Sequence, residues 1–80
     1  MTHAITIYSR PGCHLCTEMK QLVERVTAGT NASLVEVDVD RTPELTRLYG
    51  HDVPVLFVDG RKIAKYRVNR AQLERALRMS

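Results

Sequence analysis

Hydrophobic residues along the first half of the chain follow two different spacings. Residues 4–8 form a short apolar and β-branched run, which favours a strand. Between Met19 and Val26 the apolar residues recur every three or four positions, as on one face of a helix. A second strongly β-branched run covers residues 34–39. The pattern therefore predicts a strand, a helix and a second strand.

Start and stop signals divide the second half of the chain. Thr42 is a typical N-cap residue, Pro43 suits the first helical position, and Gly50 suits a helix end. The helix between them is expected to turn three residues inward: Leu45, Leu48 and Tyr49.

A hairpin and a last helix complete the predicted elements. Residues 55–58 and 61–66 have strand character, and Asp59-Gly60 between them favours a type I′ turn. Asn69, followed three residues later by Gln72, resembles a capping box that opens the last helix.

The predicted order is β-α-β-α-β-β-α, within a single domain of 80 residues. A helix between the first two strands requires a parallel pair joined by a right-handed crossover, and the last two strands form an antiparallel hairpin. We therefore expect an α/β fold with a four-stranded mixed sheet and helices on both faces.

The chain has two cysteines, and both lie where the first strand pattern becomes a helix pattern. Cys13 is expected at the helix N-terminus, where unpaired N–H groups and the helix dipole favour a thiolate. Cys16 lies one turn further on, within disulfide reach. A bridge across so short a loop constrains the unfolded chain little, so a reversible disulfide fits better than a structural one.

This dithiol predicts a two-step exchange. Cys13 attacks a substrate disulfide as the nucleophile, and the less exposed Cys16 then resolves the mixed disulfide. Arg10, and His14 when protonated, would add positive charge near the thiolate. The alternative for His14 is an exposed side chain without a role. Leu15 is either an apolar contact for a partner or surface cover.

Val53-Pro54 is the second candidate site, just before the third strand. Pro54 removes an N–H from the strand start, and its peptide bond is able to be cis, although most X–Pro bonds are trans. A cis bond beside the dithiol would expose the backbone of Val53, so that an extended substrate pairs with it.

Composition and charge narrow the partners. Hydrophobic content of 44% is that of a globular protein, no apolar run is long enough to span a membrane, and no signal-type stretch follows Met1-Thr2. We therefore expect a cytoplasmic monomer. The net charge of +3 comes from basic residues late in the chain, which form either a solvated face or a surface for acidic proteins or anionic thiols. With few aromatic residues and no nucleic-acid motif, nucleic-acid binding is not expected.

Three motifs together resemble the glutaredoxin family of thioredoxin-fold proteins, especially its small members with a Cys-His-Leu-Cys centre. They are Gly12-Cys13-His14-Leu15-Cys16, Val53-Pro54-Val55-Leu56 and Phe57-Val58-Asp59-Gly60. The resemblance implies a thioredoxin-like fold, a cis Val53-Pro54 bond, and nucleophilic and resolving roles for Cys13 and Cys16. It also implies a disulfide-containing protein or a small thiol as the substrate.

The chain departs from the glutathione-binding pattern at several places. That pattern has an aromatic residue between the cysteines and Thr before Val-Pro; here these places hold His14-Leu15 and Asp52. Arg10 and Arg67 remain as contacts for the carboxylates of glutathione. We therefore expect a reductase or another dithiol protein as electron donor, with glutathione as the less favoured one and no bound cofactor.

Two other functions stay open. Cys13 and Cys16 could hold a metal or an iron–sulfur cluster, but a structural zinc site needs four ligands and no second cysteine pair exists. The chain could also be a non-catalytic thioredoxin-fold adaptor that binds a partner beside Val53-Pro54. The intact dithiol favours the enzyme, so no metal ligands are assigned.

Overall fold

A four-stranded mixed sheet forms the centre of the protein in the computed structural model, which describes residues 3–78. The strands are β1 (Ala4–Ser9), β2 (Ser33–Asp38), β3 (Val55–Val58) and β4 (Arg61–Lys65). Their spatial order is β2-β1-β3-β4, with β1 parallel to β2 and antiparallel to β3, and with β3 antiparallel to β4.

Three helices connect or follow these strands: α1 (His14–Thr27), α2 (Pro43–Tyr49) and α3 (Arg70–Arg78). A short 3-10 helix, Val39–Arg41, joins β2 to α2. The predicted α/β fold and its element order are confirmed. The strand limits differ slightly: Val39 lies in the 3-10 helix and Tyr66 lies beyond β4.

The hydrophobic core lies between the sheet and the helices α1 and α3. Alternate residues of β1 and β3 point to this side and meet the apolar faces of the two helices. Burial of this surface is the main stabilising contribution to the fold. The core residues are Ile5, Ile7, Met19, Val23, Leu56, Val58, Leu73 and Ala76.

The opposite face of the sheet is covered by α2 through an aromatic cluster. Tyr49 stacks on Tyr8 with ring centroids 4.3 Å apart, and Phe57 meets the ring of Tyr8 edge-on at 5.5 Å. The expectation that Leu48 faces inward is wrong, because its exposed fraction is 54%. A helix of seven residues rests on the sheet mainly through Tyr49, and Leu48 remains in solvent.

Local capping and turn predictions are largely confirmed. The hydroxyl of Thr42 accepts the N–H of Leu45 at 3.1 Å. The side chain of Asn69 accepts the N–H of Gln72 at 2.7 Å. The second half of the predicted capping box is not formed, because the Gln72 side chain donates instead to the carbonyl of Ile63.

The β3–β4 turn has positive φ at both central residues, 51° at Asp59 and 83° at Gly60. This is the type I′ geometry that the Asp-Gly pair predicts. Across the described residues, no helix combines the length and hydrophobicity needed to cross a bilayer. Met1 and Thr2, on which the expectation about the N-terminus rests, lie outside the described residues.

Candidate active site

Cys13 is the N-cap residue of α1, as the sequence predicts. Its extended backbone, with φ −87° and ψ 111°, lets its Sγ accept the N–H of Cys16 at 3.2 Å. The turn before it depends on Gly12, whose φ of 77° is one that side-chain-bearing residues rarely adopt. A sulfur at this place receives a hydrogen bond and the positive end of the helix dipole, both of which favour the thiolate.

The two cysteines differ in exposure in the predicted direction. Cys13 is half-buried, whereas Cys16 has an exposed fraction of 3%. The structure joins them as a disulfide, with Cα atoms 5.2 Å apart. The first cysteine is therefore partly exposed to solvent, and the second is almost completely buried.

Arg10 contacts the 3-10 helix before α2 and the residue that ends α2. Its guanidinium donates to both carboxylate oxygens of Asp40, at 2.9 and 3.0 Å, and to the carbonyl of Gly50 at 3.1 Å. The hydrogen bond and charge of Arg10 lower the pKa of the Asp40 carboxyl. In the structure, Arg10 therefore holds Asp40 and the Gly50 carbonyl in place. A contact between Arg10 and a substrate stays a prediction.

The Val53-Pro54 peptide bond is cis, as the resemblance implies. Tyr8 of β1 pairs with Val55 of β3, so the two residues before Val55 reach the end of the sheet where β1 leads into the cysteine loop. Among the described residues, no backbone hydrogen bond uses the N–H or carbonyl of Val53. Both groups therefore lack a backbone partner, and their pairing with an extended substrate stays a prediction.

Tyr66 binds the segment around Val53-Pro54. This role of Tyr66 was not predicted from the sequence. Its N–H donates to the Pro54 carbonyl at 2.8 Å, and its hydroxyl lies 3.1 Å from both the His51 carbonyl and the Asp52 carboxylate. The Tyr66 hydrogen bond, assisted by Lys65 at 3.6 Å, lowers the pKa of Asp52. Tyr66 adopts a φ of 69°, which no local sequence signal predicts for a tyrosine.

His14 and Arg67, both predicted site residues, meet at a carboxylate. Glu18 lies 2.8 Å from the His14 ring and 3.5 Å from the guanidinium of Arg67. His14 is mostly exposed, with 86% of its side chain in solvent. Glu18 was not among the predicted residues, although its i,i+4 spacing from His14 could have indicated the pair.

A groove of about 470 Å³ lies between α1 and the β4–α3 connection, and neither cysteine is among the residues that line it. Leu15, which lies between the cysteines, lines it together with Leu22 of α1 and Val68 of the β4–α3 connection. The sequence-predicted site residues therefore fall into two groups. Val53 and Pro54 lie at the end of the sheet near the cysteine loop, whereas Leu15 and Arg67 line the groove.

The metal-binding alternative gains no support from side-chain placement. Between residues 3 and 78 no three His, Cys, Asp or Glu side chains come together as a possible metal site. The Cys13–Cys16 pair remains the main chemical feature of the site.

Comparison with known proteins agrees with this geometry. The model of the Glutaredoxin-like domain (DUF836) family matches residues 4–78. A glutaredoxin-like protein of Dictyostelium discoideum, described as the YDR286C homolog, is 29% identical over 75 residues, which cover 86% of this chain and 69% of that protein.

Solved structures show the same fold. The XcR50 protein of X. campestris superposes with a TM-score of 0.80 and 28% identity, covering 95% of this chain and 97% of that one. Mitochondrial thioredoxin 3 of Saccharomyces cerevisiae superposes with a TM-score of 0.67 at 20% identity, covering 98% of this chain and 78% of that one, and shows the fold alone. The chain belongs to the glutaredoxin-like domain family and has a thioredoxin-like fold.

Proposed function

We propose that the protein is a thiol–disulfide oxidoreductase that exchanges the Cys13–Cys16 pair with disulfides of proteins or small molecules. The observation that carries the proposal is the asymmetry of the pair. A half-buried sulfur caps α1, and its bonded partner is 3% exposed. Thiolate character and access are the two properties that make a cysteine reactive. A cytoplasmic location, where dithiols are kept reduced, is part of the proposal.

The exchange begins from the reduced pair. The Cys13 thiolate attacks one sulfur of the substrate disulfide, and the other sulfur leaves as a thiolate that takes up a proton. Cys16 then loses its proton and attacks the Sγ of Cys13. The Cys13–Cys16 disulfide forms, and the second substrate thiol leaves. Two electrons pass from the protein to the substrate, so a donor must return two electrons in each cycle.

We propose a dithiol protein or a flavin-dependent thioredoxin reductase as that donor rather than glutathione. Both cations assigned to the carboxylates of glutathione already have carboxylate partners. Arg10 is bound by Asp40 and Arg67 lies near Glu18. Asp52, kept ionised by its lowered pKa, adds negative charge next to Val53. A protein donor needs none of these anchors, because it contacts the dithiol through its own surface.

The test measures NADPH consumption coupled to each donor, with a small disulfide such as cystamine as substrate. We expect turnover with thioredoxin and its reductase, and slow turnover with glutathione and its reductase. Cys13→Ser should abolish activity, and Cys16→Ser should stop the reaction at the mixed disulfide. Ala28→Ser, at an exposed position beyond α1, is the control for an added serine.

Two results would contradict the proposal. Full activity in Cys13→Ser would remove the assigned nucleophile. Rapid turnover with glutathione that survives Cys16→Ser would leave the reaction class intact but replace the donor and the dithiol mechanism.

A further inference from the structure

Three cations near the β3–β4 hairpin have no close counterion in the described part of the chain. Arg61, Lys62 and Arg75 form no ion pair within 4 Å between residues 3 and 78, although Lys62 interacts with Asp52 at longer range. Their neighbours Lys65, Arg67 and Arg70 differ, since each lies against a carboxylate. In this region, the positive charge that has no carboxylate nearby therefore lies at Arg61, Lys62 and Arg75.

These three cations line one groove. Arg61 and Lys62 come from β4 and Arg75 comes from α3, and the groove between these elements has a volume of about 260 Å³. Its apolar members are Ile63, which is half-buried, and Ala76, which is buried. The groove therefore combines an apolar surface with a positively charged rim.

This groove meets the larger one that begins at Leu15. Gln72 lines both, and its side-chain amide donates to the Ile63 carbonyl at 3.4 Å. Together they form a track, hereafter the basic track, from Leu15, the residue before Cys16, to the start of β4. Its cations are Arg25, Arg61, Lys62, Arg67 and Arg75, and its carboxylate is Glu18.

The charge and composition of the basic track indicate its occupant. Glu18 is already engaged by His14 and Arg67, so the remaining cations attract negative charge from elsewhere. Apolar side chains such as Leu22 and Val68 favour a polypeptide with hydrophobic residues. Tyr66 is the aromatic residue that lines the track, which leaves little for the base stacking that single-stranded nucleic acid requires.

We propose that the basic track binds an acidic segment, interspersed with apolar residues, of the protein whose disulfide reacts at Cys13. This inference rests on the proposed function, because the track begins at Leu15, which lies between the two reacting cysteines in the chain. The protein then selects its partners by the charge of a segment outside the reacting disulfide. The attraction of this segment to the basic track raises the association rate of acidic partners more than their final affinity.

The experiment compares two peptides in single turnovers of pre-reduced protein. Each peptide carries one cysteine, which forms a mixed disulfide with 2-nitro-5-thiobenzoate. The residues after this cysteine are leucines that alternate with aspartate in the acidic peptide and with asparagine in the neutral peptide. Cys13 attacks the peptide sulfur and releases the coloured thiolate, and Cys16 then displaces the peptide thiol. The uncharged 2,2′-dithiodipyridine serves as the small disulfide that needs no track.

We expect the acidic peptide to react about tenfold faster than the neutral one at low salt, with the ratio falling toward one as salt screens the track. The double variant Arg61→Gln/Arg75→Gln should remove most of this advantage and leave the reaction with uncharged 2,2′-dithiodipyridine unchanged. Arg41→Gln/Arg47→Gln removes the same charge from exposed positions in the 3-10 helix and α2 and should have little effect.

The outcomes separate the two proposals. No reaction with 2,2′-dithiodipyridine would overturn the proposed function itself. Normal reaction with it, but equal rates for the two peptides, would overturn the acidic partner alone. An oligothymidylate of equal charge that binds as tightly as the acidic peptide, and loses binding in Arg61→Gln/Arg75→Gln, would replace the polypeptide with a nucleic acid.

Discussion

The hydroxyl of Tyr66 donates a hydrogen bond of 3.1 Å to the carboxylate of Asp52, immediately before the Val53-Pro54 bond. The same hydroxyl lies 3.1 Å from the carbonyl of His51, and the backbone N–H of Tyr66 reaches Pro54. One residue just beyond β4 therefore contacts this segment on both sides of Val53. It holds in place the backbone groups that we expect a substrate to use.

Replacing Tyr66 by Phe should raise the pKa of the Asp52 carboxyl toward its ordinary value, because the Tyr66 hydrogen bond is the largest cause of its lowering. A carboxyl with a lowered folded-state pKa stabilises the fold above its unfolded pKa, and this contribution is lost as the pH falls through the folded value. The stability difference between wild type and Tyr66→Phe should therefore narrow below about pH 4.

NMR titration of the side-chain carboxyl carbons measures this shift directly. Tyr49→Phe is the matched control, since Tyr49 lies in the aromatic cluster and its phenol makes no contact with Asp52. An unchanged Asp52 titration in Tyr66→Phe would show that Lys65 and Lys62 dominate instead.

Cys13 should be the more acidic and the more rapidly alkylated thiol of the reduced protein. Its sulfur accepts the Cys16 N–H at the helix start, whereas the Cys16 sulfur is buried. The pKa of each thiol is obtained from its rate of reaction with iodoacetamide as a function of pH. Cys13 is measured in the Cys16→Ser variant, and Cys16 is measured in the Cys13→Ser variant. A Cys13 pKa at or above about 8.5, or slower reaction than Cys16, would reverse the assigned roles.

Leu73→Ala should destabilise the protein by about 2–5 kcal/mol, because it removes a side chain from the core between α3 and the sheet. Leu48→Ala is the matched control on α2. With 54% of Leu48 exposed, the change should stay within about 0.5 kcal/mol. Urea denaturation of both variants measures the difference, and a cost above that range for Leu48→Ala would mean that α2 buries this residue after all.

Thr42→Ala should cost about 0.5–2 kcal/mol by removing the side chain that caps α2 at the Leu45 N–H. Thr42→Ser keeps the hydroxyl and should retain most of the stability. The denaturation midpoint should move while the denaturant slope stays constant, since the extent of unfolding is the same. Equal losses in both variants would point to the methyl group of Thr42 instead of its hydroxyl.

Structural features that depend on residues close together in the sequence were predictable from the sequence. The Thr42 cap, the Asp59-Gly60 turn and the N-cap position of Cys13 each follow from a residue type in a short pattern. The element order followed in turn, because caps and turns divide the chain into segments whose connections allow few topologies.

Features that depend on distant residues were not predictable in this way. Arg10 meets Asp40 across thirty positions, and only the folded sheet brings them together. Leu48 has the spacing of an inward residue, but the area it could bury depends on how a short helix crosses the sheet. The positive φ of Tyr66 is likewise fixed by its bonds to the segment before β3.

The contacts of Arg10 constrain how related sequences are able to diverge. Arg10, Asp40 and Gly50 act as one unit: the guanidinium binds the carboxylate and the Gly50 carbonyl, and it lies 3.2 Å from where a side chain at position 50 would begin. In a relative that has an uncharged residue in place of Arg10, an acidic side chain at position 40 no longer has this cation as a partner. We therefore expect positions 10 and 40 to change together across the family.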